Sequence, residues 1–260
     1  MSDALRFEWV RLRTIRSTYW LIALAIVLPA LLAGLVGFFS RNESLEQGVG
    51  VGLMTGGVAL FPLPLPAVML GILGVLSVGH EYRHATIRPT LTALPHRSAL
   101  VAAKLIVIAV VSAVVAVVSL ALNYVLLTVT RGAPDIDGLG RGALVGFVLL
   151  LVLWGVLGVA GTLLTRQTAL MLPLLFVLPL VIEPVLIGLT FIPALNDLQP
   201  ATRFLPFSAG AQLAQSLPAD QISDPSGPQP LARAANGAIF GSFVMLVLAP
   251  AWLLFEKRDA

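Results

Sequence analysis

The chain has 260 residues, of which 58% are hydrophobic and 11% charged, and its mean hydropathy is +0.95. A soluble domain carries about a quarter charged residues, so the composition excludes a soluble globular protein and indicates an integral membrane protein. The chain has no cysteine, which excludes disulfides and cysteine metal sites. Its net charge of +3 comes from basic residues scattered among loops, so we expect the lipid bilayer as a partner and no nucleic acid.

Six long apolar runs predict an all-α membrane protein with six transmembrane helices in a single domain. Lipid cannot satisfy backbone polar groups, and the runs lack the alternation that barrel strands show, so the spans must be helices. The predicted spans are residues 20–39, 58–79, 101–128, 142–164, 169–192 and 236–255.

Residues 1–19 precede the first span and are basic. Leu5, Trp9, Leu12 and Tyr19 share one face at helical spacing, which predicts an amphipathic helix lying in the membrane interface. The alternative is a basic lead-in with no interfacial role.

The second span cannot begin at the glycine-rich Val49, because a helix from there to Gly79 would be ~46 Å long at 1.5 Å per residue. Prolines at 61–66 must break it, and residues 49–60 then form a separate short external element. Glycines in the fourth span are expected to be notches for close helix approach: Gly142, Gly146, Gly155, Gly158 and Gly161.

The last external segment, residues 193–235, is too apolar for a free loop and too rich in proline for a span. Two short re-entrant helices that enter part of the outer leaflet fit this composition, because such backbone is tolerated where it is buried in protein. The alternative is a flexible external loop.

Charge placement predicts the orientation. With both termini in the cytoplasm, eleven of the sixteen lysines and arginines lie inside and five outside. This is the direction that the positive-inside rule requires, so we expect a multi-pass protein of a bacterial plasma membrane with residues 80–100 in the cytoplasm.

The stretch 79–104 is the most polar and basic part of the interior sequence. Pro89 and Pro95 bracket Thr90–Leu94, a segment short enough to protrude as about one helical turn. Arginines here suit acidic groups on a partner and leucines suit an apolar groove, although the arginines would also orient the membrane without any docking role. Glu81 is expected to pair with one of these arginines or with the N-terminal helix. The candidate docking residues are Glu81, Arg83, Arg88, Thr90, Leu91, Leu94 and Arg97.

Few residues offer chemistry within the spans. Glu183 is the clear intramembrane charge, and we expect a gate or pathway residue, or a carboxylate that reaches water or Arg203. His80 and His84 lack the HExxH order and a third ligand, so no metal site is expected. No GxxxxGK[ST] motif occurs, so the chain does not hydrolyse ATP itself and no catalytic residue is expected.

Three stretches resemble one family. They are the N-terminal EWVRLRTIRSTYW, the EYRHATIRPTLTALPHRSALVAAK run after the second span, and LPFSAG in the last external segment. The chain is similar, over essentially its whole length, to the membrane permease subunit of bacterial type-2 ATP-binding cassette (ABC) transporters of the exporter class.

The resemblance implies a mechanism. Two permeases, identical or paralogous, assemble with two ATPase subunits, which hold the ATP and magnesium, so this chain carries no cofactor. The cytoplasmic stretch after the second span forms a coupling helix that docks on the ATPase, and the external re-entrant helices act as the outer gate.

Two other functions are also consistent with the sequence. One is an ion-coupled secondary transporter that uses Glu183, and a less favoured one is a membrane enzyme that uses the histidines. The almost uniformly apolar spans favour a hydrophobic or amphipathic cargo, without identifying it.

Overall fold

The computed structural model describes residues 2–42, 48–57, 64–83, 97–218 and 229–257, apart from the side chains of Arg83 and Arg97. Every regular element in these ranges is a helix, so the predicted all-α fold class is confirmed. In chain order the helices are α1 (Ser2–Thr14), α2 (Arg16–Phe39), α3 (Val49–Met54), α4 (Leu65–Arg83), α5 (Arg97–Arg131), α6 (Gly138–Thr165), α7 (Thr168–Leu189), a 3-10 helix (Pro193–Phe204), α8 (Pro206–Gln212) and α9 (Arg233–Lys257).

Six of these helices, α2, α4, α5, α6, α7 and α9, are long and apolar enough to cross a membrane, as predicted. Two of them extend into the predicted cytoplasmic loop 80–100, since α4 continues to Arg83 and α5 begins at Arg97. Glu81, beyond the predicted end of the second span, is buried in an ion pair with Lys104, so the helix does not have to end there for the carboxylate to reach water.

Because six spans alternate in direction, the bundle has two distinct ends. The terminal end holds α1, the C-terminal end of α4 and the N-terminal end of α5, which an ion pair from Glu81 to Lys104 brings together. The distal end holds α3 and the segment between α7 and α9. There, Arg131 at the end of α5 donates to Ser40 at the end of α2 over 2.8 Å.

Helices α4 and α6 form the centre of the bundle and meet through glycines. A Cβ added at Gly74 would overlap the carbonyl oxygen of Gly155, and one added at Gly158 would overlap that of Gly71. The two backbones are therefore in direct contact, which is how helices without a hydrophobic driving force associate in lipid. The prediction that glycines of the fourth span are packing notches is confirmed.

The N-terminal helix is shorter than residues 1–19. It ends at Thr14, Ile15 is extended, and α2 begins at Arg16, so Tyr19 does not belong to the same helix as Trp9. The buried side chains of α1 are Ala4, Glu8 and Leu12, whereas Trp9 is half-exposed. Of the predicted face, Leu5 and Leu12 lie on α1 with Trp9, whereas Tyr19 lies on α2; the place of this face in the membrane interface stays a prediction.

The element predicted for residues 49–60 is present as α3. It covers Val49–Met54 and is separate from α4, which begins at Leu65. Its Met54 carbonyl oxygen accepts a hydrogen bond of 2.8 Å from Asn123 Nδ2 of α5. Asn123 is one of the few polar residues in the middle of a span, and this bond satisfies its amide nitrogen.

Candidate functional site

Four charged side chains form a closed ring at the terminal end of the bundle. Lys104 Nζ lies 2.7 Å from Glu8 Oε1 and 2.5 Å from Glu81 Oε1. Arg11 completes the ring, with its guanidinium 2.9 Å from Glu8 Oε2 and also paired with Glu81. Acidic and basic groups alternate around this ring, which we call the ion ring, and its formal charge is zero.

The ion ring is built by three helices. Glu8 and Arg11 are three residues apart on α1 and therefore share a face, Glu81 lies in the last turn of α4, and Lys104 lies in the second turn of α5. Arg11 also donates to the carbonyl oxygen of Ser77, which fixes α1 against α4.

Burial makes these charges dependent on one another. The side chains of Lys104, Glu8 and Glu81 are 1%, 2% and 4% exposed, and that of Arg11 is 16% exposed. An unpaired charge at such positions is costly, so each group stabilises the ionised state of its neighbours. Burial lowers the pKa of the Arg11 guanidinium, and the charge of Glu8 opposes that shift. Glu81 Oε2 accepts no hydrogen bond from the described residues.

The ion ring includes one residue before and one residue after the segment 84–96. Glu81 precedes this segment and Lys104 follows it, so the flanking helices α4 and α5 are paired with each other and with α1. Of the predicted docking residues, the structure places Glu81 in the ion ring, paired with the N-terminal helix, which was one of its two expected partners. The others lie outside the described residues, in whole or by their side chains: Arg83, Arg88, Thr90, Leu91, Leu94 and Arg97.

Sequence reasoning missed Lys104 as a partner of Glu81, and it missed Glu8 as the second carboxylate of the ion ring. A signal was present, because Lys104 is one of only two lysines and lies well inside an apolar helix. Within the described ranges no three His, Asp or Glu side chains are grouped as metal ligands. His84 lies outside those ranges.

Glu183, the predicted intramembrane charge, lies buried toward the distal end. Its Oε1 accepts from the backbone N–H of Phe207 at 2.7 Å. Its Oε2 accepts from the N–H of Ser208 at 2.7 Å and from the Ser208 hydroxyl at 2.6 Å. The carboxylate thus caps the first turn of α8, which has no capping side chain of its own. The expected partner Arg203 instead lies over the ring of Phe204, at 5.1 Å from its centre.

The backbone of α7 is irregular next to this carboxylate. Residues Leu178–Ile182 form a π-helical turn directly before Glu183, and prolines follow its first residue and Glu183 itself. Pro184 has no N–H to donate within the helix. Single π turns are frequent at functional sites, because they leave backbone groups less tightly paired and change the direction of the helix.

Helix α8 enters the bundle through Phe207. Its ring centre lies 5.4 Å from that of Trp154 on α6 and 5.8 Å and 5.6 Å from those of Phe240 and Phe243 on α9. Trp154 is sixteen residues after Gly138, or ~24 Å along α6 at 1.5 Å per residue. The segment between α7 and α9 therefore contains two short helices, and the second is inserted between spans.

The comparison with known families agrees with this architecture. The family model described as ABC-2 family transporter protein matches residues 4–192, almost three quarters of the chain. The matched part begins in α1 and ends just after α7, so it includes the whole ion ring and Glu183. No curated protein matches the chain.

Proposed function

The chain belongs to the ABC-2 transporter family and is a transmembrane permease, and from this premise we propose that it exports its cargo by coupling to a separate ATPase subunit. Family membership implies association with an ABC ATPase. The observation that carries the proposal is the ion ring, which joins α1 to the two helices that flank residues 84–96.

In this proposal residues 84–96 dock on the ATPase. Leu91 and Leu94 occupy an apolar groove of the ATPase and Thr90 lies beside them. Arg83, Arg88 and Arg97 pair with its acidic groups, and ATP and magnesium bind on that subunit alone. Because Glu81 and Lys104 flank the segment within one rigid ring, a displacement of the segment moves α4, α5 and α1 together. Glu81 Oε2, which no donor of the described residues contacts, is an acceptor for a further donor on this path.

The distal gate of the proposed exporter is α8. The cap from Glu183 and the aromatic contacts of Phe207 hold this helix between α6, α7 and α9. The π turn before Glu183 lets α7 bend without breaking its remaining hydrogen bonds. Opening then requires the carboxylate to release the N–H groups of α8.

The remaining features follow the same premise. The terminal end faces the cytoplasm of a bacterium, in keeping with the eleven basic residues counted on that side, and α1 lies in the membrane interface. A second permease, identical or paralogous, completes the path. The apolar spans suit a hydrophobic or amphipathic cargo.

Family membership favours this function over the two alternatives. An ion-coupled transporter would need a carboxylate available to a moving ion, whereas both oxygens of Glu183 are occupied by donors of α8. A membrane enzyme based on histidines would need further groups near His80, and its neighbour Glu81 is engaged in the ion ring.

The test is purification of the tagged chain from its native host with identification of the proteins that come with it. We expect an ABC ATPase, and we expect it to be lost when Thr90–Leu94 is replaced by glycines. The matched control replaces Asp197, Leu198 and Gln199 of the distal 3-10 helix by glycines, which should retain the ATPase. If the Thr90–Leu94 variant kept its ATPase and transported normally, the coupling assignment would be wrong.

A further inference from the structure

A groove between α6 and α9 opens at the distal end, away from both the ion ring and Glu183. It is an open depression of about 560 Å³, within the size range of ligand pockets. Its inner wall is formed by Leu149, Leu213 and three glycines, and Val145 stands exposed at its side. The groove is therefore an apolar channel that runs along two membrane-spanning helices.

Two arginines stand at the rim of this groove, Arg141 in the first turn of α6 and Arg233 at the start of α9. None of the ion pairs within the described part of the chain includes either of them. Both side chains thus present positive charge that no carboxylate of the described residues neutralises.

The guanidinium of Arg233 is held in one place. Its Nη2 donates to the carbonyl oxygens of Gln215 at 2.7 Å and Leu139 at 3.2 Å, and the group lies across Gly142, where any Cβ would overlap it. Its Nε is shielded from solvent and has no hydrogen-bond partner within the described ranges. Backbone carbonyl oxygens thus fix the guanidinium in position at the rim of the groove.

The depth of the arginines suits a lipid headgroup. Helix α9 has 25 residues and is ~37 Å long, somewhat more than the ~30 Å hydrocarbon core. Its first residue therefore lies in the headgroup region, and the groove below it lies in the acyl region. Guanidinium groups at this depth are suited to the phosphate of a lipid headgroup, with which arginine makes strong charge-assisted hydrogen bonds.

From this arrangement we propose that the α6–α9 groove binds a phospholipid, with its phosphate on Arg141 and Arg233 and one acyl chain along Val145 and Leu149. Charge complementarity selects the phosphate, and the apolar wall selects the chain. A free phosphate would leave the groove empty, and an uncharged lipid would leave the two guanidinium groups unpaired.

The site reaches the distal gate. Leu213, directly after α8, packs against Gly146, where an added Cβ would overlap its carbonyl oxygen. Arg233 binds the carbonyl of Gln215, two residues further on. A bound phosphate would therefore stabilise the same arginine that fixes the end of the gate segment.

The experiment uses the purified full-length chain in detergent, with native mass spectrometry for bound lipid and thermal unfolding for stabilisation. Three probes are added separately: phosphatidylglycerol, diacylglycerol with the same acyl chains, and inorganic phosphate. We expect retention and an increase in the unfolding temperature with phosphatidylglycerol alone. Arg233→Gln should weaken its binding about tenfold, as expected for loss of one charge-assisted contact.

Two further variants test the proposal even if Arg233→Gln disturbs the fold. Arg141→Gln changes an exposed residue at the rim, and Val145→Trp fills the acyl channel while leaving both charges; each should reduce retention. Arg203→Gln, which removes a distal arginine outside the groove, is the control and should bind as the parent chain does.

Several outcomes overturn the proposal. Stabilisation by inorganic phosphate alone would indicate an anion site and not a lipid site. Equal retention of diacylglycerol would remove the role of the arginines. If the groove variants changed the oligomeric state in light scattering and left lipid retention unaltered, the groove would be a contact between copies of the chain.

Discussion

The two ends of the bundle bury carboxylates in different ways. At the terminal end, Glu8 and Glu81 are paired with the charged side chains of Arg11 and Lys104. At the distal end, Glu183 is held by neutral donors, two of them backbone N–H groups of one short helix. The ion ring therefore depends on a balance of full charges across three helices, whereas the distal cap depends on the position of a single helix.

This difference suits the two sites to different parts of the proposed function. Removal of any member of the ion ring leaves another charge uncompensated, so the ring resists opening, as the proposed coupling requires. Release of Glu183 leaves one carboxylate and the N–H groups of a single short helix without their partners. In the proposed function the distal cap is therefore the part that opens.

The largest effect is expected from Lys104→Met, which leaves two carboxylates facing the single positive charge of Arg11. Breaking a buried ion pair in this way destabilises a protein by about 3–5 kcal/mol. The thermal unfolding temperature of the purified chain measures this loss. Lys257, the other lysine, is exposed at the end of α9, so Lys257→Met is the matched control. Equal unfolding temperatures for the two variants would contradict the role of the ion ring.

A second variant restores the charge balance. In the double variant Glu8→Gln/Lys104→Met, Arg11 and Glu81 remain as a neutral pair. We expect the double variant to be more stable than the sum of the two single effects by about 1–3 kcal/mol, as for residues of one network. A double-mutant cycle by thermal unfolding measures this coupling.

The control for that cycle is Asp3→Asn, an exposed carboxylate on the same helix as Glu8. Its effect should add to that of Lys104→Met without coupling. Additive effects for Glu8 as well would mean that the ion ring does not act as a unit.

At the distal end we expect a smaller and more local effect from Glu183→Gln. The amide has one acceptor oxygen where the carboxylate has two, and its NH2 group faces donors of α8. The loss is about 1–3 kcal/mol and is confined to the first turn of α8. Hydrogen exchange of the Phe207 and Ser208 amides should become faster. Asp197→Asn, in the exposed 3-10 helix, should leave that exchange unchanged. Unaltered exchange in Glu183→Gln would show that the carboxylate does not hold α8.

The smallest effect is expected from Ser208→Ala. This change removes the hydroxyl donor to Glu183 and leaves both backbone donors in place, so about 1 kcal/mol is lost. The exchange of the Phe207 amide should be nearly that of the parent chain. A loss as large as that of Glu183→Gln would mean that the hydroxyl, and not the helix backbone, anchors the carboxylate.

The sequence allowed the spans to be predicted because apolar length alone determines whether a helix can cross lipid. The same argument singled out Glu183, because a lone carboxylate in an apolar run is visible by composition. Its partner was not visible, since Phe207 and Ser208 donate through the backbone, which every residue carries. Arg203 was expected because its charge is opposite to that of Glu183, whereas in the structure backbone N–H groups bind the carboxylate.

At the terminal end, the sequence did not show which charged residues would pair with one another. Glu81 was expected to pair either with a nearby arginine or with the N-terminal helix, and the second proved correct. Lys104 was counted only as an orienting charge, because its position relative to Glu8, 96 residues earlier, depends on how three helices pack. Glu8 was not singled out for the same reason, since apolar residues alone defined the predicted face of α1.

The glycine contact between α4 and α6 restricts where movement can occur. With Gly71 and Gly74 backed directly onto Gly155 and Gly158, the two helices are unable to slide or rotate past each other without a steric clash. They therefore behave as one rigid pair through the bilayer, and a displacement of the C-terminal end of α4 tilts both helices. Bending is then expected in α7, because its π turn at Leu178–Ile182 interrupts the regular hydrogen-bond pattern of the helix.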